Sequence, residues 1–377
     1  MLPIERGLEI VMSVAKSQER PDRMPVESVP LRDSVRRILR DDVLSDADSP
    51  PFDKAIRDGF AVRVEDLDSI PVVLSVVGES RAGLAANVTV ERGQCCEIMT
   101  GAPLPAGSNA VVMVENTERV SPNSVRILRG VRENEGLLRR GAEARQGELI
   151  LRSGRRIGLA DLGLLAGNGK STVLVSAKPS VGVIATGDEL VEVEETPKPD
   201  QIRNSNSYTI CAQVEEAGAR PTALGIARDE LGDLRHKIRQ GLEQDILIVS
   251  GGVSMGKYVF GHRGQTYVFG LPGNPISTMV AFHMFVRPLI LFLLKAENTA
   301  PKVLEAKLEA PAKCDPERAA LVPALVRFDG GQYWIRPAPW KGSSDLVGLS
   351  RANALIMIPR RSGTLESGQN AQFLLME

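Results

Sequence analysis

Histidine is nearly missing from this sequence, with His236, His262 and His283 the only three in 377 residues. So few leave no material for a histidine-rich metal site and argue against a histidine-centred hydrolase. Cysteine is scarce as well. Cys95, Cys96, Cys211 and Cys314 show no metal-ligand spacing, and adjacent cysteines rarely bridge each other, so reduced, buried thiols are expected. Aromatic residues make up only 4% of the chain. Net charge is also lacking: 46 Lys and Arg against 47 Asp and Glu give −1, which provides no global field to draw nucleic acid or an anionic membrane. Any anion site must therefore be local. Long apolar runs are absent but for one, Ile276 to Leu294, and it contains His283, Arg287 and Pro288. That run is expected to be a buried helix, not a membrane span. The N-terminal MLPIERGLEIVMSVAKS carries charges inside an amphipathic helix and does not read as a signal peptide. A cytoplasmic protein is expected.

What the chain does have is glycine, 35 residues, and proline, 24, the material of many turns and short strands. Its length exceeds what one hydrophobic core usually supports, so several domains are expected. The opening reads as a helix, a proline-bearing loop and a polar stretch to Leu44. From Ser49 short alternating runs follow (VVLSVVG, VTVERGQCCEIM, AVVMVE, VRILRG), which suggest a β-rich domain to about residue 137. Residues 138–175 carry turns and a helix, IGLADLGLLAGNG, ended by glycine. Near Lys178 the grammar changes. VGVIATGDEL, PTALGIARD, DILIVSGG and YVFGLPGNP read as strands, separated by the helices SYTICAQVEEAGA and LGDLRHKIRQGLEQ, which means a mainly parallel α/β sheet. After Ala300 short strands return (VLEAKLEA, ALVPALVRF, YWIRPA, ALIMIP, QFLLM), consistent with a small β domain.

Three loops at strand ends carry the chemistry. They are Thr186-Gly187-Asp188-Glu189, Ser250-Gly251-Gly252-Val253-Ser254 and Pro272-Gly273-Asn274-Pro275, the last leading into the apolar helix. Glycine at a strand end lets backbone N–H groups point at an oxyanion, and a helix N-terminus adds partial positive charge. Any one of these alone would be a tight turn; three on consecutive strand ends of one sheet point to a ligand crevice. Asp188, Glu189 and Asp229 also follow strands. Carboxylates beside an anion cradle suggest a divalent cation between the two. In the first half, Asp58-Gly59 and Met99-Thr100-Gly101-Ala102-Pro103 read, on their own, as turns.

Together PPFDKAIRDGFAVR, IMTGAPLPAGSNAVVMVE, LRRGAEARQGE, VGVIATGDELV, SGGVSMGKY, FGLPGNPIST and KGSSDLVGLSRANALIMIP resemble, in order, the MoeA and gephyrin E-domain family of molybdopterin molybdenumtransferases. The resemblance implies four domains: an elongated dimerisation region (1–45 and 138–175), an inserted β domain (46–137), a parallel-sheet α/β pterin-binding domain (176–298) and a C-terminal β-barrel (299–377). It also implies a homodimer whose cleft is shared between subunits, acting on adenylylated molybdopterin and molybdate, with Mg²⁺ as cofactor. By motif position Asp58, Thr100, Glu189 and Asp229 match catalytic positions, Glu189 and Asp229 as metal ligands. Thr186, Gly187, Asp188, Ser250, Gly251, Gly252, Ser254, Pro272, Gly273, Asn274 and Pro275 fall in the substrate loops. Glu143 stands where the family usually has Asp. Ser343 is a candidate for the molybdate pocket, with Arg351 or Arg318 to supply charge.

One departure stands out. The family follows SGGVSxGxxD with a crossover helix, a strand and a lysine-bearing loop, whereas here Gly256-Lys257-Tyr258 runs straight into Val259. Met255 to Thr266 has no amphipathic pattern, and YVFGHRGQTYVFG reads as a hairpin around Arg263-Gly264. The family's metal-binding aspartate and two oxyanion-binding lysines thus have no counterpart. Either the chain is natively short here, or the intact protein carries a further segment after Tyr258; the second is favoured, because active-site loops are commonly mobile. A non-catalytic molybdopterin-binding or scaffold protein of the same fold is the alternative reading.

Overall fold

The computed structural model describes residues 4–18, 24–84, 87–252, 258–315, 317, 319–360 and 362–376. The chain forms two compact units. One comprises residues 41–153 and 159–171, the other residues 1–40, 154–158 and 172–377.

The first unit is built on a six-stranded sheet in the order 110–113, 59–62, 94–98, 72–80, 124–127, 117–121. All neighbours are antiparallel except 72–80 and 94–98. Successive residues of a strand face opposite sides, and both sides of this sheet are covered. Phe60, Val62, Cys95 and Val112 pack into one apolar cluster; Ala61, Cys96, Ile98 and Val111 pack into another. This geometry explains why the vicinal cysteines stay reduced: they point away from each other. Burial pushes the Cys95 thiol up to about 12 and that of Cys96 up to about 11.

In the second unit the expected α/β sheet is present. Its strands are β1 (Ser180–Thr186), β2 (Arg220–Ala227), β3 (Ile246–Ser250), β4 (Val259–Arg263) and β5 (Thr266–Leu271). Helix α1 (Asn206–Glu216) joins β1 to β2, and α2 (Leu231–Gly241) joins β2 to β3. The order is β2-β1-β3-β5-β4. The first four are parallel, and β4 runs antiparallel along the edge. β1 is almost continuously buried, as a strand covered on both faces must be. Val181, Val183, Ile246 and Ile248 pack with Ile210, Val214 and the long apolar helix. Ile184 and Leu247 pack on the other face with Leu234 and Ile238 of α2.

β4 and β5 form the hairpin expected from the sequence, paired from Val259↔Gly270 to Arg263↔Thr266. Its two-residue loop begins at Gly264 with φ +59°, which fits the turn that takes glycine first. The long helix is α from Pro275 to Ala281, π from Phe282 to Val286, and α again from Arg287 to Leu293. Pro288 has no N–H to return to Met284, and the wider π turn accommodates the missing bond. This is the one described helix long and apolar enough to cross a membrane, yet 72% of its most apolar window is buried in the protein. It is a core helix, as expected. The C-terminal strands close a five-stranded barrel in the order 303–308, 332–337, 320–329, 354–358, 370–375. Leu308, Val322, Ile335, Ile356 and Phe373 fill it.

Antiparallel pairs that were not anticipated include one near the N-terminus. Val26–Pro30, expected as a proline-bearing loop, pairs with Thr172–Ser176 in the same unit.

The two-faced placement of the vicinal thiols yields a prediction. In native protein at pH 8, a disulfide reagent should leave Cys95 and Cys96 untouched, and all four thiols should react in denaturant. Native-state labelling at either residue, located by peptide mapping, would contradict their burial.

Candidate active site

In the sheet the chain leaves β1 for β2 on one side and returns to β3 on the other. This reversal opens a crevice beyond the C-terminal ends of β1 and β3, where open α/β sheets bind ligands. Thr186-Gly187 closes β1 and Ser250-Gly251-Gly252 closes β3. Gly251 has φ +103°, and a Cβ there would lie 2.4 Å from the Thr186 carbonyl oxygen. Only glycine permits that approach. The Thr186 hydroxyl next to it is buried and, among the described residues, has no hydrogen-bond partner. A buried hydroxyl without a partner is costly and calls for a physical reason. It lies at the switch point of the sheet, the place where open α/β sheets bind ligands.

The third loop is tied into the same place. Asn206, the first residue of α1, donates through Nδ2 to Ser250 Oγ (2.9 Å) and to the Gly273 carbonyl (2.8 Å). Thr278 Oγ1 donates to the carbonyls of Pro272 and Asn274, which fixes the turn before Pro275 at the helix start. Asn274 Nδ2 donates to Ser343 Oγ (2.8 Å), and Ile276 N–H donates to the Ser343 carbonyl (3.1 Å). Thr186, Gly187, Ser250, Gly251, Gly252, Pro272, Gly273, Asn274, Pro275 and Ser343 thus belong to one connected set of loops. Asn206 joins them although the sequence marks it only as the start of a helix. The signal that was there, Asn-Ser-Asn ahead of the helix, reads equally well as ordinary capping.

The acidic residues occupy two loops laced together. Gly187 N–H donates to the Ala227 carbonyl (3.3 Å), and Asp229 N–H donates to Asp188 Oδ1 (3.1 Å). Arg228 Nη1 donates to the carbonyls of Leu190 (3.0 Å) and Asp188 (3.3 Å). Glu189 folds back over its own loop, so that a Cβ on Gly187 would lie 2.4 Å from Glu189 Oε2. Its carboxylate therefore sits at the rim of the cradle. Among the described residues no three His, Cys, Asp or Glu side chains gather as a ready-made metal site. Mg²⁺ does not require one, since it takes one or two carboxylates, keeps water and uses phosphate oxygens. The donor set fits that ion.

In the other unit, antiparallel pairing of Gly59 with Ile98 sets the residues just outside these strand ends side by side. Asp58 Oδ1 accepts from both Thr100 N–H (2.6 Å) and Thr100 Oγ1 (2.7 Å). The Thr100 hydroxyl, then its N–H, hold the Asp58 carboxyl below the usual carboxylate range. Asp58 is exposed and, since Oδ1 takes both bonds, Oδ2 is left to face solvent. Glu143 lies on a different loop, accepting from Ser49 Oγ (2.7 Å) with Lys54 Nζ at 3.8 Å. Arg351 is exposed at the end of helix Leu346–Ser350. Ser254 and Arg318 lie outside the described residues.

This arrangement defines a crevice at the switch point of an open α/β sheet, lined by glycine turns and flanked by carboxylates. The family described as "MoeA N-terminal region (domain I and II)" matches residues 2–169. "Probable molybdopterin binding domain" matches 182–260, and "MoeA C-terminal region (domain IV)" matches 305–376. The molybdopterin molybdenumtransferase of Bacillus subtilis (strain 168) is 32% identical, over 100% of this chain and 94% of that protein. One from Staphylococcus epidermidis is 30% identical, over 93% of this chain and 91% of its own length. The crystal structure of the molybdopterin biosynthesis MoeA protein from Pyrococcus horikoshii OT3 superposes with a TM-score of 0.84 at 27% identity, covering all of both chains. The chain belongs to the MoeA family.

Two substitutions should separate packing from ligand-facing chemistry. Gly251→Ala drives a methyl into the Thr186 carbonyl and should cost about 1–3 kcal/mol of stability. Thr186→Val keeps the shape and removes an unpartnered hydroxyl, so it should leave stability unchanged or raise it by about 1 kcal/mol. Urea unfolding measures both, and equal losses would contradict an orphaned hydroxyl.

Proposed function

We propose that this chain inserts molybdenum from molybdate into adenylylated molybdopterin and releases AMP, the final step of molybdenum cofactor biosynthesis. The observation that carries the reading is the crevice at the switch point, where glycine turns and the buried Thr186 hydroxyl face a ligand beside two laced acidic loops. Membership of a family whose relatives are named molybdopterin molybdenumtransferases supports the substrate. The glycine turns offer backbone N–H groups to the substrate phosphate, and Thr186 adds a hydroxyl. Asp58, ionised and held on Oδ1 by Thr100, keeps Oδ2 to accept a proton or orient a polar group. The dithiolene sulfurs belong to the substrate, so the buried, high-pKa cysteines are not needed as nucleophiles. The protein's contribution is positioning and charge.

Mg²⁺ is the proposed cofactor. Glu189 and Asp229 would hold it, and the ion would supply charge stabilisation to the leaving phosphate. The carboxylate of Glu189 at the rim of the cradle supports this assignment. The four-domain division expected from the sequence remains the working one, and the cytoplasm the expected compartment.

A homodimer is supported by one surface. Helix Leu159–Gly167 is apolar nearly all round, yet Leu159 is 80% exposed and Leu164 38%. Leu44 and Leu149, on the strand pair of the same unit, are 51% and 38% exposed. These exposed leucines support an association face on this unit. The second reading, a molybdopterin-binding scaffold without turnover, is favoured by the hairpin of β4 and β5, which stands where the family resemblance implies a crossover and a lysine-bearing loop.

Two predictions follow from these assignments. Glu189→Gln and Asp229→Asn should slow Mg²⁺-dependent AMP release at least about 30-fold, or roughly 2 kcal/mol, with melting temperatures within about 2 °C of the parent. Release at the parent rate by both variants would remove the carboxylates from the reaction. Leu159→Arg with Leu164→Arg should halve the mass measured by light scattering at micromolar concentration. An unchanged dimer would move the interface elsewhere.

A further inference from the structure

The crevice carries three carboxylates, Asp188, Glu189 and Asp229, and is read as receiving an anion, which calls for a cation beside them. Among the described residues Arg228 reaches across these loops. It stands directly after β2, its N–H donates to Asp233 Oδ2 (2.8 Å), and its side chain lies across the acidic loop of β1. Nη1 spends both hydrogens on the carbonyls of Leu190 and Asp188. Among the described residues its remaining donors, on Nε and Nη2, have no partner and no carboxylate pairs with it. A guanidinium anchored in this way has already lost the freedom of its side chain. It presents a fork that suits a tetrahedral oxyanion in bidentate fashion. Arg203 is also anchored, through Nε to the carbonyls of Val193 (2.9 Å) and Glu195 (3.1 Å). Its bonds go to the 193–195 stretch, whereas those of Arg228 go to Asp188 and Leu190.

We propose that Arg228 binds an oxyanion of the substrates directly, its Nη1 clamped on the Asp188–Leu190 loop and its Nε and Nη2 donors turned to the phosphate of the adenylyl group or to molybdate. The assignment rests on the proposed transferase reading and deepens it. It gives the anion a cation on the acidic side of the crevice. The clamp also couples the anion to the loop of Glu189, so one side chain serves both halves of the site.

The test uses the full chain with Mg²⁺ and three probes, AMP, adenosine and molybdate, measured by equilibrium dialysis against the parent and Arg228→Gln. If the phosphate is the anion, Arg228→Gln should weaken AMP at least about tenfold while adenosine is unchanged. If molybdate is the anion, molybdate alone should weaken by that factor. Equal losses for AMP and adenosine would reduce Arg228 to a clamp on the loop and overturn the proposal, and so would unchanged binding of all three. A parent that binds neither AMP nor molybdate would bring down the transferase reading itself, and this assignment with it. Should Arg228→Gln fail to fold, Arg228→Lys, which can keep one carbonyl bond but offers no fork, is read by the same AMP-to-adenosine ratio.

Discussion

The site depends on a close approach between two strand ends. The turn after β3 passes so near the Thr186 carbonyl that a side chain on Gly251 has no room. Because the turns after β1 and β3 pack at this distance, the Thr186 hydroxyl is shut away from water without a partner. The remaining loops are assembled around this contact. Asn206 binds the Ser250 hydroxyl to the Gly273 carbonyl, Asn274 reaches Ser343, and the acidic loops of β1 and β2 are laced to one another. None of these bonds is strong alone, since a neutral hydrogen bond contributes about 1 kcal/mol net. Their combined effect is to hold these strand-end loops in fixed relation to one another.

Much of this was legible in the sequence because its signals are local. Gly187, Gly251 and Gly273 each sit at the end of an apolar run, and the alternation of strands with helices already requires those ends to lie on one edge of a parallel sheet. The hairpin of β4 and β5 was legible too, since Met255 to Thr266 lacks a helical pattern and Gly264 marks a two-residue turn. The buried helix Pro275–Leu293 could be told from a membrane span by Arg287 and Pro288 within it.

What escaped the sequence depends on partners far along the chain. Val26–Pro30 is flanked by prolines and looks like a loop, but its partner strand starts at Thr172, and no local pattern reveals such a pairing. Asn206 looked like a helix start because its partners, Ser250 and Gly273, belong to two other loops. Arg228 is one more exposed arginine until its Nη1 is seen across the carbonyls of Asp188 and Leu190. Conversely, the pairing of Asp58 with Thr100 is a physical contact that the motifs could only suggest. Each reads alone as turn chemistry, and only the antiparallel strands between them bring the two together.

The hairpin of β4 and β5 closes one edge of the sheet, beside the glycine turns, the Thr186 hydroxyl and the acidic loops. The central claim is that these suffice for metal insertion. The direct measurement is a single-turnover reaction of the unaltered 377-residue chain with adenylylated molybdopterin, molybdate and Mg²⁺, with AMP and pterin-bound molybdenum quantified in the same sample. The account predicts that both appear together in equal amounts and that neither appears when molybdate is left out. Retention of the intact adenylylated pterin, with no AMP and no bound molybdenum, would contradict it.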